Sequence, residues 1–227
     1  MNDSAQQSVA VVLCGAGNMD GSEIHEATLT LAALAQAGYQ YQCYALDRPQ
    51  GQVSDYLTGR VVEGEIRNQK AEAARIARGD IQDLEKLRVE DHVAVIFPGG
   101  FGVAHNLCTF ANDGAEATVE PAVVRVLQQF RAADKPIGLI CISPVLAALV
   151  FGQSHAPQLT LGEVDTPPAK VCSELGARMI ACSPVEWLVD EANKICTTPA
   201  YMSARSIAEV KIGIYGLVQS LKGLVST

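Results

Sequence analysis

The chain has 227 residues, of which 48% are hydrophobic and 19% are charged, and its formal net charge is −8 at pH 7. This length and apolar content allow a sizeable buried core in one domain, or at most two small ones, and exclude a disordered or collagen-like chain. The negative charge argues against a nucleic-acid partner, because a nucleic-acid surface needs clustered lysine and arginine.

Seven cysteines are spread along the chain without a C-x-x-C pair. The sequence therefore favours neither a zinc ribbon nor a thioredoxin-like redox motif, and a chain able to build a full core does not need a disulfide framework. Residues 1–7 lack the basic and apolar regions of a signal peptide, and no apolar run is long enough to span a bilayer. We expect a reduced, cytoplasmic protein without a membrane partner.

The first predicted element is a strand over residues 9–13, whose continuous apolar side chains are typical of a strand buried on both faces of a parallel sheet. A helix is predicted over 23–37, because apolar residues recur there at spacings of three and four and a glycine follows. The alternating residues 39–44 predict the next strand. Between 46 and 87 the pattern weakens, with a charged helix predicted over 68–78. We interpret this region as an excursion rather than a separate domain.

The second half of the chain predicts further alternation of strands and helices. Strands are predicted over 93–97 and 137–140, with shorter ones near 179–180, 187–189 and 195–196, and helices from 120, over 144–150, from 166 to 175 and from about 203 to 221. Strands that alternate with helices imply parallel crossover units and a doubly wound α/β sheet. Such sheets bind ligands beyond the carboxyl ends of their strands, so the loops after Leu13, Phe97 and Ile140 form the candidate site.

Cys141 directly follows a predicted strand and precedes a predicted helix. A nucleophile in this position forms an elbow that lifts its side chain above the sheet. The amides and dipole of the following helix would stabilise a thiolate and lower the pKa of the cysteine, and a thiolate attacks carbonyl carbon. The alternative is a buried, inert cysteine, and position alone leaves both interpretations open.

The segment 98–102 is rich in glycine and follows the strand that ends at Phe97. Glycines let a backbone approach a ligand closely. The amides of Gly99 and Gly100, together with that of Ile142, would form an oxyanion hole for a tetrahedral intermediate. The alternative is a tight strand-to-helix connection that needs positive φ.

Glu23 begins the first predicted helix, near the end of the first strand. Its carboxyl group could share a proton with Cys141 and pass it to a substrate, whereas a first-turn glutamate more often interacts with the helix dipole. Glu26 lies one position short of the same face, and we predict that it is solvated. His25 and His105 also begin elements near strand ends, although a lone histidine is usually a surface or structural residue.

Gly15, Gly17 and Gly21 suggest a dinucleotide-binding loop, with Asp47 after the second strand as the acidic partner. The third glycine comes one residue too late for the G-x-G-x-x-G fingerprint, so this signal is weak.

Three separated motifs, at residues 20–26, 98–102 and 138–142, together resemble the ThiJ/PfpI superfamily of class I glutamine amidotransferase-like proteins. Matches at residues 72–76, 106–107 and 197–202 extend the resemblance over nearly the whole chain. The resemblance implies one such domain over 1–227, with a flavodoxin-like three-layer sandwich around a mostly parallel central sheet, usually as a homodimer.

The resemblance also implies a chemistry. Cys141 would be the nucleophile and Glu23 its partnering acid. Beside them, we predict that Gly99, Gly100, Ile142 and His25 form the oxyanion hole and bind the substrate. The reaction would be the conversion of small glyoxal-type dicarbonyls to hydroxy acids without cofactor or metal, which is also observed as deglycase activity. The subgroup that the chain resembles is associated with isoprenoid biosynthesis.

The sequence departs from two branches of this superfamily. PfpI-type proteases carry histidine directly after the nucleophile, where this chain has Ile142, so we do not expect peptidase activity. Glutamine amidotransferases of similar fold need a late His-x-Glu pair, which none of the four histidines provides. The leading hypothesis is therefore a cysteine-dependent glyoxalase. The alternatives are a redox-sensing or regulatory binding protein with little turnover and, third, a nucleotide-binding protein.

Overall fold

The structure is a computed structural model that describes residues 7–225 of the chain. The predicted absence of a signal peptide rests mostly on residues 1–6, which lie outside this range. The strands are β1 (Ser8–Val12), β2 (Gln40–Ala45), β3 (Ser54–Asp55), β4 (Arg60–Val61), β5 (Ile81–Asp83), β6 (Ala94–Phe97), β7 (Ile137–Ile140), β8 (Gln158–Leu159), β9 (Arg178–Met179), β10 (Leu188–Asp190) and β11 (Ile195–Thr198). The helices are α1 (Ile24–Gln36), α2 (Gln69–Ile76), α3 (Phe110–Asp113), α4 (Pro121–Ala132), α5 (Pro144–His155), α6 (Pro167–Glu174) and α7 (Ile207–Val225).

Seven strands form the central sheet, in the order β10-β11-β7-β6-β1-β2-β5. All neighbours pair in parallel except β10, which is antiparallel to β11. The central strands β6 and β7 are buried along their full lengths, as their continuous apolar residues require in a sheet covered on both faces. The predicted mostly parallel, flavodoxin-like α/β fold is confirmed.

Helices cover both faces of this sheet. The chain leaves β1 through α1 toward β2 in one direction and leaves β6 through α4 toward β7 in the other, and right-handed crossovers in opposite directions place their helices on opposite faces. Accordingly α1 packs against α7, while α4 packs against α5 and α5 against α6. Within residues 7–225, no helix is both long and apolar enough to cross a membrane.

One portion of the excursion predicted between residues 46 and 87 belongs to the central sheet. It contains the small hairpin β3–β4, but its last strand, β5, pairs with β2 at the sheet edge. The closing helix begins at Ile207 rather than near residue 203, because a 3-10 turn, Ala200–Met202, follows β11. That the whole of 1–227 is one domain stays a prediction.

The loops that follow β1, β6 and β7 meet at one edge of the sheet, as predicted. The amide of Glu23 donates to the carbonyl of Gly99 at 2.8 Å, and the amide of Gly102 donates to the carbonyl of Gly21 at 3.0 Å. The hydroxyl of Ser143, just after β7, donates to the carbonyl of Pro98 at 2.8 Å. These bonds bring the candidate residues of all three loops together.

Candidate active site

Cys141 forms the predicted elbow between β7 and α5. Its φ is +61°, a left-handed conformation that is strained for a residue with a side chain and that the surroundings have to maintain. Its amide donates to the carbonyl of Thr198 at 3.0 Å, which continues the pairing of β7 with β11 by one residue. The backbone of the nucleophile is therefore fixed by the sheet itself.

The sulfur of Cys141 faces two backbone amides. Those of Gly100 and Ile142 lie near enough to lower the pKa of its thiol, so the structure brings together two of the three amides that the sequence predicts for an oxyanion hole. Cys141 exposes only 8% of its surface, which is less than an openly accessible thiol would show. The thiol is therefore largely covered by its neighbours.

The third predicted amide has another partner. The N–H of Gly99 donates to Oε2 of Glu26 at 3.0 Å, so its predicted place in the oxyanion hole is wrong. Gly99 is required there for a different reason: a Cβ at this position would clash with Cβ of Cys141 and with the Glu26 carboxyl group. Gly100 has a φ of +101°, which supports the alternative that this segment needs positive φ.

Glu26, rather than Glu23, is the carboxyl group in contact with Cys141. Its Oε2 and Cβ of Cys141 both lie against Gly99, its charge raises the pKa of the thiol, and its Oε1 accepts from the amide of Tyr201 at 3.2 Å. Glu26 has 0% exposure, so the prediction that it is solvated is wrong. The reason is the rotation of α1 about its axis, which turns Glu26 toward the core. The buried face of the helix begins at Glu26 and continues through Ala27, Thr30, Leu31 and Leu34.

Glu23 is the N-cap of α1, with extended backbone just outside the helix. Its Oε2 accepts from the amide of Glu26 at 2.6 Å. Its carboxyl group is thus engaged by the first turn of the helix, which is the alternative role that the sequence left open. Glu23 still acts on the site through its charge, because its negative charge raises the pKa of Glu26.

The pKa values of the two contacting groups are both raised. Burial and then the charge of Glu23 raise the pKa of Glu26 to about 8. Burial, followed by the charge of Glu26, raises the pKa of Cys141 well above its ordinary value. The predicted lowering of the cysteine pKa is therefore wrong: the amides of Gly100 and Ile142 act in the predicted direction but do not outweigh these two effects.

Two such groups in contact titrate as a pair. Because neither ionises easily while the other is charged, the pair keeps at least one proton near neutral pH. When the carboxyl group of Glu26 carries that proton, it can donate the proton to the thiolate of Cys141 or to an oxygen atom of a ligand bound beside the sulfur. The site therefore combines a thiol, a carboxyl group that can hold a proton, and two nearby amides.

The remaining predicted residues lie outside this contact. His25 is exposed on the first turn of α1 and is hydrogen-bonded through Nδ1 to the hydroxyl of Tyr201 at 2.8 Å. His105 lies in a short π-helix and lines a separate cavity with Cys108 and Glu120.

The glycine loop after β1 is closed on itself. The amide of Gly17 donates to the carbonyl of Ser22 at 2.7 Å, and that of Gly21 donates to Gly17 at 2.9 Å. A Cβ at Gly15 would meet the side chain of Gln50. These contacts use the loop to pack the chain, so they lend no support to nucleotide binding.

Sequence reasoning missed both Glu26 and Tyr201. For Glu26 a signal was available, since the spacing of 26, 30 and 34 continues the buried stripe of α1 by one turn. For Tyr201 the only signal was that β11 is a further parallel strand ending at the same edge. The contact itself depends on a turn that the sequence did not predict.

No family model matches the chain. The human protein described as glutamine amidotransferase-like class 1 domain-containing protein 3, mitochondrial, is 44% identical over 221 residues, which cover 94% of this chain and 81% of that protein. The chain belongs to the family of glutamine amidotransferase-like class 1 domain proteins, as its resemblance predicted.

A crystal structure of an isoprenoid biosynthesis protein with an amidotransferase-like domain, from Ehrlichia chaffeensis, superposes with a TM-score of 0.89 at 35% identity and covers 96% of this chain and 99% of that one. A ThiJ/PfpI domain protein from Brachyspira murdochii shares the fold alone, at 14% identity and a TM-score of 0.58 over 96% of this chain and 99% of that one.

Proposed function

We propose that this protein is a cofactor-independent, cysteine-dependent glyoxalase that converts small glyoxal-type dicarbonyls to hydroxy acids. The observation that carries the proposal is the buried contact between the thiol of Cys141 and the carboxyl group of Glu26, beside the amides of Gly100 and Ile142. This contact supplies a nucleophile and a proton carrier within hydrogen-bond reach of each other, as the reaction requires.

The reaction begins when the Glu26 carboxylate takes the proton of the Cys141 thiol, which gives the thiolate form of the pair. The sulfur attacks the aldehyde carbon and forms a C–S bond, and the carbonyl electrons move to oxygen. The amides of Gly100 and Ile142 stabilise the developing oxyanion. Glu26 then protonates this oxygen, which gives a hemithioacetal and leaves Glu26 as a carboxylate.

The carboxylate completes the conversion by moving a proton between carbons. Glu26 removes the hydrogen from the carbon bonded to sulfur, and the neighbouring carbon is reprotonated, so that the adduct becomes the thioester of a 2-hydroxy acid. Water then attacks the thioester, the C–S bond breaks, and the hydroxy acid leaves with the oxygen of water. A carboxyl group with a pKa of about 8 suits both directions of transfer, because an effective acid–base catalyst titrates near the working pH.

The test is the formation of glycolate from glyoxal by the wild-type chain and by Cys141→Ala and Glu26→Gln. We expect no turnover from Cys141→Ala and a loss of about 10²- to 10⁴-fold from Glu26→Gln. Glu63→Gln, an exposed glutamate of the excursion, serves as the matched control and should retain activity. Unchanged glycolate formation by Cys141→Ala would remove this function, and an unchanged Glu26→Gln would remove the role of the carboxyl group.

The alternative is a redox-sensing or regulatory binding protein with little turnover. Oxidation to sulfenic or sulfinic acid favours thiolates of low pKa, and the raised pKa of Cys141 speaks against that role. Peptide-level mass spectrometry after mild peroxide discriminates the two: selective oxidation of Cys141 without dicarbonyl turnover would favour the sensor.

The resemblance to the ThiJ/PfpI superfamily also supports the proposal that the protein is a homodimer, which light scattering after size-exclusion chromatography would test. The cytoplasmic location predicted from the sequence remains a proposal, and the human relative is described as mitochondrial. A link with isoprenoid biosynthesis, as in the description of the Ehrlichia relative, is likewise proposed only.

A further inference from the structure

The turn after β11 holds both members of the Cys141–Glu26 pair through its main chain. The carbonyl of Thr198 accepts from the amide of Cys141 at 3.0 Å. Three residues later, the amide of Tyr201 donates to Oε1 of Glu26 at 3.2 Å. One short segment thus fixes the backbone of the nucleophile and one oxygen of the carboxyl group.

This segment has a strained backbone. Ala200 is buried and has a φ of +44°, a conformation that a residue with a side chain adopts only when its surroundings enforce it. Its carbonyl accepts from the amide of Ala204 at 2.9 Å. The conformation of Ala200 is what directs the next amide, that of Tyr201, toward Glu26.

The side chain of Tyr201 makes a second contact with the same helix. Its hydroxyl is hydrogen-bonded to Nδ1 of His25 at 2.8 Å, and the two ring centroids are 5.8 Å apart. His25 is the neighbour of Glu26 in the first turn of α1. Tyr201 therefore contacts α1 at two points, through its amide at Glu26 and through its hydroxyl at His25.

We propose that Tyr201 and His25 are positioning residues, whose side-chain contact holds the Tyr201 amide against Glu26 and so strengthens the hydrogen bond that the carboxylate receives. The proposal rests on the proposed pairing of Cys141 with Glu26. It does not depend on the identity of the substrate, and its test uses thiol chemistry rather than dicarbonyl turnover.

The groups around Glu26 determine whether its pKa should rise or fall when one of its contacts is removed. Cys141 faces it from the elbow, the amide of Gly99 from the loop after β6, and Tyr201 from the turn after β11, while Glu23 acts from its own helix. The bond from Tyr201 lowers the pKa of Glu26, whereas the charge of Glu23 raises it. A weaker Tyr201 bond should move the titration of the pair to higher pH, and removal of the Glu23 charge should move it to lower pH.

The experiment measures the rate at which iodoacetamide alkylates Cys141 between about pH 5.5 and pH 10, followed at the peptide level because the chain has seven cysteines. In Tyr201→Phe and in His25→Ala, we expect the first inflection of the rate profile to rise by about half to one pH unit. The double variant should show no more than the larger single effect, because both substitutions remove one contact.

Two further variants and two control variants sharpen the test. His25→Asn keeps a hydrogen-bonding atom near the position of Nδ1 and should restore most of the wild-type profile. Glu23→Gln keeps an oxygen for the helix cap and should move the inflection the opposite way. Tyr41→Phe and His155→Ala make the same chemical changes at exposed residues away from the site and should leave the profile unchanged.

An inflection unchanged from wild type in both Tyr201→Phe and His25→Ala would overturn the proposal, even if melting temperatures fall, because the contact would then be structural only. Additive shifts in the double variant would overturn it as well. If Tyr201→Phe does not fold, His25→Ala tests the same contact from the exposed side. Failure here with intact dicarbonyl turnover would leave the proposed reaction standing.

Discussion

The amide nitrogen of Gly99 lies 3.0 Å from Oε2 of Glu26, so the loop after β6 and the first helix are joined by the same carboxyl group that lies beside Cys141. A carboxyl group held in this way is buried without a cation in contact among the described residues. The cost of burying this carboxyl group is lowered because the group stays protonated, and not because it forms an ion pair. Several measurable consequences depend on this arrangement.

Glu26 should make the folded chain less stable as the pH rises. The folded protein keeps the proton up to about pH 8, whereas the unfolded chain loses it near pH 4.5, so the free energy of unfolding falls across this window. The full effect is on the order of 3 to 5 kcal/mol. In Glu26→Gln this dependence should disappear, which urea unfolding at a series of pH values would show. A wild-type profile as flat as that of the variant would contradict the raised pKa.

Gly99→Ala should disable the site by steric conflict. A methyl group there overlaps Cβ of Cys141 and the carboxyl group of Glu26, and overpacking of this kind typically costs about 1–3 kcal/mol. We expect alkylation of Cys141 to slow at least tenfold and the free energy of unfolding to fall. Gly223→Ala is the matched control, because a Cβ there meets nothing within 4 Å and alanine favours the helix by about 0.5–1 kcal/mol. Normal Cys141 chemistry in Gly99→Ala would refute the close approach.

His92 lies at the opposite end of the sheet and should make the folded protein less stable in acid. It is buried, with Nε2 bonded to the Tyr44 hydroxyl at 2.8 Å and Nδ1 to the Ser8 hydroxyl at 3.1 Å. Burial lowers its pKa below the ordinary 6.5, so the unfolded chain binds the proton first and stability is lost as the pH falls below about 6.5. His92→Gln, which cannot titrate, should lose less stability between pH 7 and pH 5 than wild type does, although it should be about 1–3 kcal/mol less stable at pH 7.

The matched control for this measurement is His155→Gln, since His155 is exposed. It should retain the acid sensitivity of the wild-type chain. Equal losses between pH 7 and pH 5 in wild type and in His92→Gln would exclude His92 as the source.

Tyr56 should hold the hairpin β3–β4 against the loop after β1. Its hydroxyl donates to Oδ1 of Asp20 at 2.8 Å and accepts from the amide of Met19 at 2.9 Å. Tyr56→Phe removes both hydrogen bonds, at a cost of about 1–3 kcal/mol, and should speed tryptic cleavage after Arg60 severalfold. Tyr41→Phe provides the control, and cleavage at the wild-type rate in Tyr56→Phe would show that other contacts hold the hairpin.

The sheet was largely predictable because its inner strands carry continuous apolar runs. The bounds of β7, residues 137–140, match the prediction, and those of β6 differ by one residue at one end. The hairpin β3–β4 and the edge strand β5 were not predicted, since Ser54, Asp55, Gln82 and Asp83 offer no hydrophobic alternation. Their pairing depends on neighbouring chain segments rather than on local pattern.

The candidate site, like the sheet, could be predicted from the sequence only in part. The elbow at Cys141 follows from the local order of strand, nucleophile and helix, and so could be predicted. The choice between Glu23 and Glu26 depends on the rotation of α1 by a fraction of a turn, and the buried Thr30 in its stripe weakened the apolar signal that fixes this rotation. The amides that engage Glu26 come from Gly99 and Tyr201, 73 and 175 residues away, and such distant partners leave no mark in a single sequence.

The hydrogen bond from the amide of Cys141 to the carbonyl of Thr198 has a consequence for how reactants meet. The thiol is tied to the rim of a sheet rather than to a free loop, so the pairing of β7 with β11 sets its height above the strands. A reagent that modifies Cys141 has to reach the sulfur at that fixed depth.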